Sequence, residues 1–379
     1  MATMRQQQLN EDDKLAWLAL ARTDHIGPIT FRQLIRRFGT AKEALDALPR
    51  YAAKANKKFT PRNIALEKAR QEIDALSHAG GELICACEPD YPERLTQIED
   101  APPVLTVRGR RELLHANQVG VVGARNASLN GRKMAESIAQ TLCDEGYVIT
   151  SGLARGIDTS AHTRALDSGT VAVVAGGVNI IYPQENTALY TRMCEMGCVV
   201  SEQPWGSEPI AHLFPKRNRI ISGLSLGVVV VEAAKRSGSL ITAHQALEQG
   251  REVFAVPGSP LDPRAGGTNE LLKQGAIFTE SGRDIIDHII RMQSRPRALC
   301  ERQEDDFVYA EVEEKAPDRH DLDTAREEIL MNLSTSPISV DELARGCQLS
   351  LPLVLSTLLD LELEGAIERQ PGQRIVLTG

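Results

Sequence analysis

Lys216, Arg217 and Arg219 fall within one twelve-residue run, Phe214-Pro215-Lys216-Arg217-Asn218-Arg219-Ile220-Ile221-Ser222-Gly223-Leu224-Ser225, whose pattern predicts the start of a helix. A helix N-terminus carries a partial positive charge, so three cations there are uphill unless an anion meets them. Pro215 suits the first helical position. Ile220, Ile221 and Leu224 follow Arg217 by three, four and seven residues, on its own helical face. Arg217 therefore points inward, beneath the cleft that this helix borders. The alternative is a core arginine paired with an internal carboxylate, Asp158 or Glu232.

Other loops of the same chemistry recur along the chain. They are Gly123-Ala124-Arg125-Asn126-Ala127-Ser128, Ser151-Gly152-Leu153-Ala154-Arg155-Gly156-Ile157-Asp158, Gly176-Gly177, Ser201-Glu202-Gln203-Pro204 and Lys235-Arg236-Ser237-Gly238-Ser239. Ser237-Gly238-Ser239 precedes a helical segment, so its hydroxyls and free amides could cradle a phosphate, or serve as an ordinary N-cap. No GxxxxGK[ST] is present, and no strand leads into GxGxxG with a downstream acid, which disfavours ATP hydrolysis and dinucleotide redox. Asp158 and His162 lie four apart on one helical face, which capping and a buried hydrogen bond explain as well as acid-base work. No Ser-His-Asp or Cys-His grouping is legible, and no catalytic residue is assigned.

The elements that position these loops read as a doubly wound parallel sheet. From Val119 onward, short apolar strands alternate with amphipathic helices: residues 119–122, 147–150, 170–174, 198–200, 227–231 and 252–256. Each unusual loop follows a strand carboxyl end, where open α/β sheets place their ligand crevice. An anion-binding rim with several cations, amide-rich loops and no nucleophile fits a polyphosphate backbone, hence single-stranded nucleic acid. Tyr182 and Phe214 are the available stacking surfaces.

The sequence divides into a helical unit at 1–80, the Rossmann-like domain at 81–300, an acidic linker at 301–328 and a winged-helix-like domain at 329–379. The turn His25-Ile26-Gly27-Pro28 resembles a helix-hairpin-helix, with Arg32, Arg36 and Arg37 either near a nucleic-acid backbone or on a solvated face. The net charge is −8, yet residues 301–328 hold twelve acidic and four basic residues, a difference equal to the whole imbalance. The middle of the chain is mildly basic. In the winged domain the third helix, from Leu351 to Glu364, carries no cation, so groove binding by it is disfavoured and a protein contact or dimer surface is expected.

With 42% hydrophobic and 4% aromatic residues, the composition suits an aliphatic core. The longest apolar runs are too short to cross a bilayer and Met1–Gln8 lacks the apolar stretch of a secretion signal, so a cytoplasmic protein without membrane contact is expected. Seven cysteines, at 85, 87, 143, 194, 198, 300 and 347, form no CxxC pair and read as reduced thiols, with no metal and no cofactor.

These motifs, in this order, resemble the DNA-processing protein A family (DprA, also called Smf). The resemblance rests on GARNAS, SGLARGIDTSAH, the segment from Gly169 through Tyr182-Pro183, SEQP, FPKRNRIISGLS, VVVVEA, SGSLITA, REVFAVPG and GTNELLKQGA, over roughly residues 80–285. It implies a non-enzymatic protein that binds and protects single-stranded DNA, loads the RecA recombinase onto it during natural transformation, and forms a homodimer. It also implies a nucleic-acid site built from Arg125, Ser128, Ser151, Gly152, Arg155, Lys216, Arg217, Asn218, Arg219, Lys235, Arg236, Ser237, Gly238 and Ser239. The chain departs from the family at Arg155, where Lys is frequent, at Asn179, where Asp is, and at Asn130, where an aromatic is. The same loops would also suit an enzyme acting on a nucleoside monophosphate, and the winged helix leaves a transcription regulator as a third reading.

Overall fold

The computed structural model describes residues 7–55, 60–294, 319–333, 336–370 and 374–378. In chain order the elements are α1 (Glu11–Ala21), α2 (Pro28–Phe38), α3 (Ala41–Ala55), α4 (Arg62–His78), β1 (Gly81–Cys85), α5 (Glu93–Thr96), β2 (Val104–Gly109), β3 (Gln118–Val122), α6 (Leu129–Asp144), β4 (Val148–Ser151), α7 (Ile157–Ala165) and β5 (Thr170–Val173). They continue with α8 (Thr187–Met196), β6 (Cys198–Ser201), α9 (Leu213–Leu224), β7 (Gly227–Val230), α10 (Gly238–Glu248), β8 (Glu252–Ala255), α11 (Gly266–Lys273), β9 (Ile277–Phe278) and α12 (Gly282–Ser294). The last are α13 (Arg319–Asn332), β10 (Ile338–Ser339), α14 (Val340–Cys347), α15 (Leu351–Leu363), β11 (Ile367–Gln370) and β12 (Arg374–Leu377).

Two compact units divide the chain, one of residues 1–14 and 70–296 and the other of 15–69 and 297–379. The first unit is built on a nine-stranded sheet of order β1-β2-β6-β5-β4-β3-β7-β8-β9. Strands β3 to β8 are the six read from the sequence, and they pair in parallel, with Val121 opposite Val229 and Thr150 opposite Val171. Their continuous valine-rich runs suit burial on both faces. Three further strands extend this core. β1 and β2 pair antiparallel at one edge, β2 continues antiparallel onto β6, and β9 adds parallel to β8.

Side chains alternate between two cores, as a pleated strand requires. Val171 and Val173 join the layer formed with Ile220, Ile221 and Leu224 of α9 and Ala243 and Ala246 of α10. Ala172 and Val174 point the other way, toward Tyr190 and Met193 of α8. On that same side Val119, Val121 and Val229 meet Ile138 and Leu142 of α6, Ile157 of α7 and Ile285 of α12. The strand order reverses between β3 and β7, so the crevice at their carboxyl ends is open to the loops of both.

A carboxylate ties these two strands together across the reversal. Glu232, just beyond β7, accepts hydrogen bonds from the Ser128 backbone amide at 2.9 Å and from its hydroxyl at 2.5 Å. The Ser128 hydroxyl in turn accepts from the Gly131 amide as the N-cap of α6. A Cβ on Gly131 would stand 2.4 Å from the Glu232 carboxyl carbon, so residue 131 must be glycine for the carboxylate to sit there.

In the second unit, α1 and α2 form a hairpin closed by Trp17 against Phe31, ring centroids 4.9 Å apart. The winged part has a three-stranded sheet of order β10-β12-β11 under α13, α14 and α15. Its first helix begins at Arg319, so residues 319–328, read from the sequence as linker, are helical instead. Ile329 of that helix is fully buried in the winged core, which anchors an acidic segment that could not bury a core alone. Residues 70–80 likewise go with the sheet unit rather than the helical one. The linker residues 301–318 and the Pro371-Gly372 turn lie outside the described residues. Among the described residues no single helix is long and apolar enough to cross a membrane.

Removing the tie across the reversal should loosen the start of α6. Ser128→Ala is expected to cost about 1 kcal/mol as a lost cap. Glu232→Ala should cost about 1 to 3 kcal/mol, because it also strands a backbone amide. Urea unfolding of the full chain, followed by the midpoint at unchanged slope, measures both.

Candidate nucleic-acid interface

Arg217 is buried, 5% exposed, although it carries a guanidinium. Its Nη1 donates to the Val173 carbonyl at the end of β5. Burial lowers its pKa to about 10, with the Asp158 carboxylate opposing that shift and Arg125 reinforcing it, so the group stays charged at neutral pH. Asp158 opens α7 and accepts from the amides of Gly152 at 3.1 Å and Ala154 at 3.2 Å. Burial pushes the Asp158 carboxyl up, while Arg217 and those amides pull it down. The guanidinium lies over the β4 to α7 loop, where a Cβ on residue 152 would stand 2.3 Å from Nη1. Gly152 is thus the space that Arg217 occupies.

His162, one turn after Asp158, is fully buried, and its Nδ1 lies 2.8 Å from the Thr170 hydroxyl. Burial, then the charge of Arg217, depresses its pKa to about 3. The ring is neutral and occupied in packing. Asp158 is thus engaged by the Gly152 and Ala154 amides beside Arg217, and His162 by Thr170, rather than forming an acid-base pair.

Two cavities meet at this arginine. One, of about 320 Å³, is walled by Ile180, Tyr182, Pro183, Pro209 and Phe214, with Arg125, Gly152, Arg155, Gly176 and Glu185 completing it. The other, of about 530 Å³, is lined by Asn126, Asn218, Arg236, Ser237, Gly238, Ser239, Ile241 and Arg264. Arg125, Ala154, Phe214 and Arg217 border both. The Phe214 ring is the septum: Arg125 Cζ lies 5.2 Å from its centroid, Arg217 Cζ 5.9 Å, and the Tyr182 ring 5.7 Å in an edge-on contact. The larger cavity opens onto the N-terminus of α10, capped by Ser237, whose hydroxyl lies 2.7 Å from that of Ser239.

Nine of the fourteen residues named from the sequence border the cavities: Arg125, Gly152, Arg155, Arg217, Asn218, Arg236, Ser237, Gly238 and Ser239. Five do not. Ser128 is engaged with Glu232, and Ser151 is buried with its hydroxyl on the Val121 carbonyl. Lys216 and Lys235 are exposed beside the cavities without lining them. Arg219 corrects the sequence reading most sharply: it is 7% exposed, bonded to Glu202 and 3.3 Å from Asp100, and borders neither cavity. α9 begins at Leu213 rather than Pro215, so Lys216, Arg217 and Arg219 stand further into the helix than the proline suggested. Of the two carboxylates offered to Arg217, Asp158 faces it and Glu232 is committed to Ser128.

Arg264 and Asn126 were missed as cavity-lining residues. Arg264 lies in the loop after β8, paired with Asp262 at 2.9 Å, and the strand-end logic applied to the other loops would have found it there. Among the described residues, no group of three or more His, Cys, Asp or Glu could hold a metal ion.

Known proteins resemble this chain in sequence and fold. Residues 82–290 match the family described as DNA recombination-mediator protein A, residues 11–75 a DprA-like N-terminal HHH domain, and residues 313–373 a DprA winged helix domain. The chain belongs to the DNA recombination-mediator protein A family. Protein Smf of Escherichia coli K12 is 42% identical over 293 residues, 76% of this chain and 76% of that protein. DNA processing protein DprA of Streptococcus pneumoniae is 46% identical over 198 residues, 52% of this chain and 70% of that protein. The X-ray structure of DNA processing protein A from S. pneumoniae aligns with a TM-score of 0.54 at 34% identity, covering 68% of this chain and 97% of that one. The Helicobacter pylori protein, solved for its single-stranded DNA binding mode, gives 0.52 at 27% identity, over 56% of this chain and 96% of that one. The Rossmann-like core with helical N-terminal and winged C-terminal domains is thus shared with the family.

The buried imidazole makes stability depend on pH. Between about pH 6.5 and 3 the unfolded chain binds a proton at residue 162 that the folded chain refuses, so stability falls as pH drops through that window. His162→Gln is expected to flatten this acid limb of the unfolding-midpoint profile. A profile superimposable on the parent's would contradict it.

Proposed function

We propose that this chain binds single-stranded DNA across the paired cavities, without catalysing a reaction on it, and delivers that DNA to RecA during natural transformation. The observation that carries the reading is the Arg125–Phe214 septum. It divides an apolar-walled compartment sized for a base from a compartment of amides, hydroxyls and arginines suited to phosphate. Stacking on Tyr182 and Phe214 is tolerant of sequence, as a general single-strand binder requires. The α10 N-terminus, with Arg236 and Arg264 beside it, supplies oriented amides and positive charge for the backbone.

Absence of catalysis is supported by how the nearby titratable groups are used. His162 is kept neutral in the core, and Asp158 is held by two amides within the field of Arg217. The family membership supports DNA processing as the setting, and single-strand binding by the H. pylori protein supports the ligand. Delivery to RecA and a homodimer are what the family resemblance implies, and a cytoplasmic place of action is the expectation raised by the short apolar runs.

Affinity for an oligothymidylate should fall with salt at about 0.7 log units per phosphate contact per log unit of salt, near −3 for four contacts. Arg125→Ala should weaken binding about tenfold, as expected for a cation engaged with both a phosphate and the septum ring, while the unfolding midpoint stays within error. A salt-independent affinity, or preference for duplex over single strands, would contradict the reading. RecA ATP hydrolysis on strands precoated with single-strand-binding protein tests delivery: this chain should shorten the lag, and Arg125→Ala should not.

A further inference from the structure

α15 occupies the position of the groove-reading helix in its winged domain, yet both of its sides are covered. Val354, Leu358 and Leu361 belong to the winged core. Leu359 and Leu363, on the opposite side, are each only 2% exposed. A helix that is apolar all round needs a second partner to cover it. Within this compact unit that partner is the N-terminal helical domain, for α15 lies against α2 and α3.

A charge pair crosses the contact. Asp360, on the same side of α15 as Leu359 and Leu363, stands 2.5 Å from Arg37 at the end of α2, over 323 residues of intervening sequence. α2 holds Arg32, Arg36 and Arg37, and no acidic residue. Two other carboxylates at the end of α15 pair within the winged domain, Glu362 with Arg369 at 3.0 Å and Glu364 with Arg326 at 2.6 Å. Asp360 instead reaches across to α2.

We propose that the basic end of α2 is a second nucleic-acid-binding surface and that α15 gates it, Asp360 holding on Arg37 the place a backbone phosphate would take. The winged domain then acts as a protein-docking lid rather than a duplex reader, and a strand engaging α2 must displace it. A carboxylate competing for a guanidinium is a balance that added phosphate can tip, because exposed pairs contribute little and phosphates are local high concentrations of anion. This proposal rests on the reading that the ligand is a nucleic acid, and its test separates the two.

Asp360→Asn, nearly isosteric at a partly exposed position, should bind an oligothymidylate about threefold more tightly at low salt and steepen the salt slope by about 0.7, the signature of one added phosphate contact. Arg37→Gln combined with Asp360→Asn should return both to the parent values. The gain should persist in an Arg125→Ala background, where the paired cavities are impaired. An unchanged affinity and slope on Asp360→Asn overturns the gate, whatever the cavities bind. Docking itself is read by zero-length carbodiimide cross-linking of the Arg37→Lys chain, with the amide link between the introduced amine at position 37 and Asp360 identified by mass spectrometry. Its yield should fall as oligothymidylate is added. A yield indifferent to saturating oligothymidylate overturns competition between DNA and α15.

Discussion

The arrangement of the central domain turns on one buried cation. Removing a guanidinium from water is costly unless hydrogen bonds and opposite charge replace the lost hydration. Arg217 has the Val173 carbonyl and the charge of Asp158 for this purpose, and each imposes a further condition. The carbonyl must come from the end of β5, so α9 has to cross there. Asp158 must be kept beside the guanidinium, and the Gly152 and Ala154 amides bonded to it fix it there. Residue 152 must lack a Cβ, and His162 must remain neutral, because a second buried cation would have no counter-charge. Three separate features of the β4 to α7 segment, and one carbonyl of β5, thus answer to one side chain on another helix.

The sheet supplies the place where such a side chain can matter. At the reversal between β3 and β7 the following segments leave toward opposite faces, and the gap between them is the larger cavity. Left alone, that gap would be free to spread. Glu232 prevents it by carrying the end of β7 to the cap of α6, so the loop holding Arg125 and Asn126 is anchored at both ends. The acid that looked from sequence like a partner for Arg217 has this different task. Its consequence is similar, since it also fixes one wall of the cleft.

Much of this was legible in the residues. Valine-rich runs bounded by Gly and Ser predict the six parallel strands, since strands buried on both faces need no alternation. The spacing of Ile220, Ile221 and Leu224 places Arg217 on the inner face, and it is there. What failed depended on distant partners. Arg219 reads as a rim cation because nothing local reveals that Glu202 and Asp100 come to meet it from other loops. β1 carries a weaker pattern, because an edge strand can be polar on one side, as the exposed Glu82 shows. α13 hid within an acidic stretch because its few apolar residues, Ala325 and Ile329 among them, suffice only once a domain is waiting to receive them.

Burying Arg217 changes what binding an anion must cost. An exposed arginine loses water and rotamer freedom only when the ligand arrives, and that loss is subtracted from the affinity. Arg217 is desolvated and held in its rotamer during folding, so its field already reaches both cavities when they are empty. Arg125 is the complement, a less buried cation stacked on the outer part of the same phenylalanine system. One charge is preorganised and cannot reach far, while the other can follow a ligand but must be ordered by it. Setting both against the Phe214 ring couples them, since displacing the ring to admit a base moves the surface on which both guanidiniums rest. Under the proposed function, occupation of the apolar compartment would thereby be felt in the compartment lined by Arg236, Ser237 and Ser239, as gripping a base and its backbone together requires.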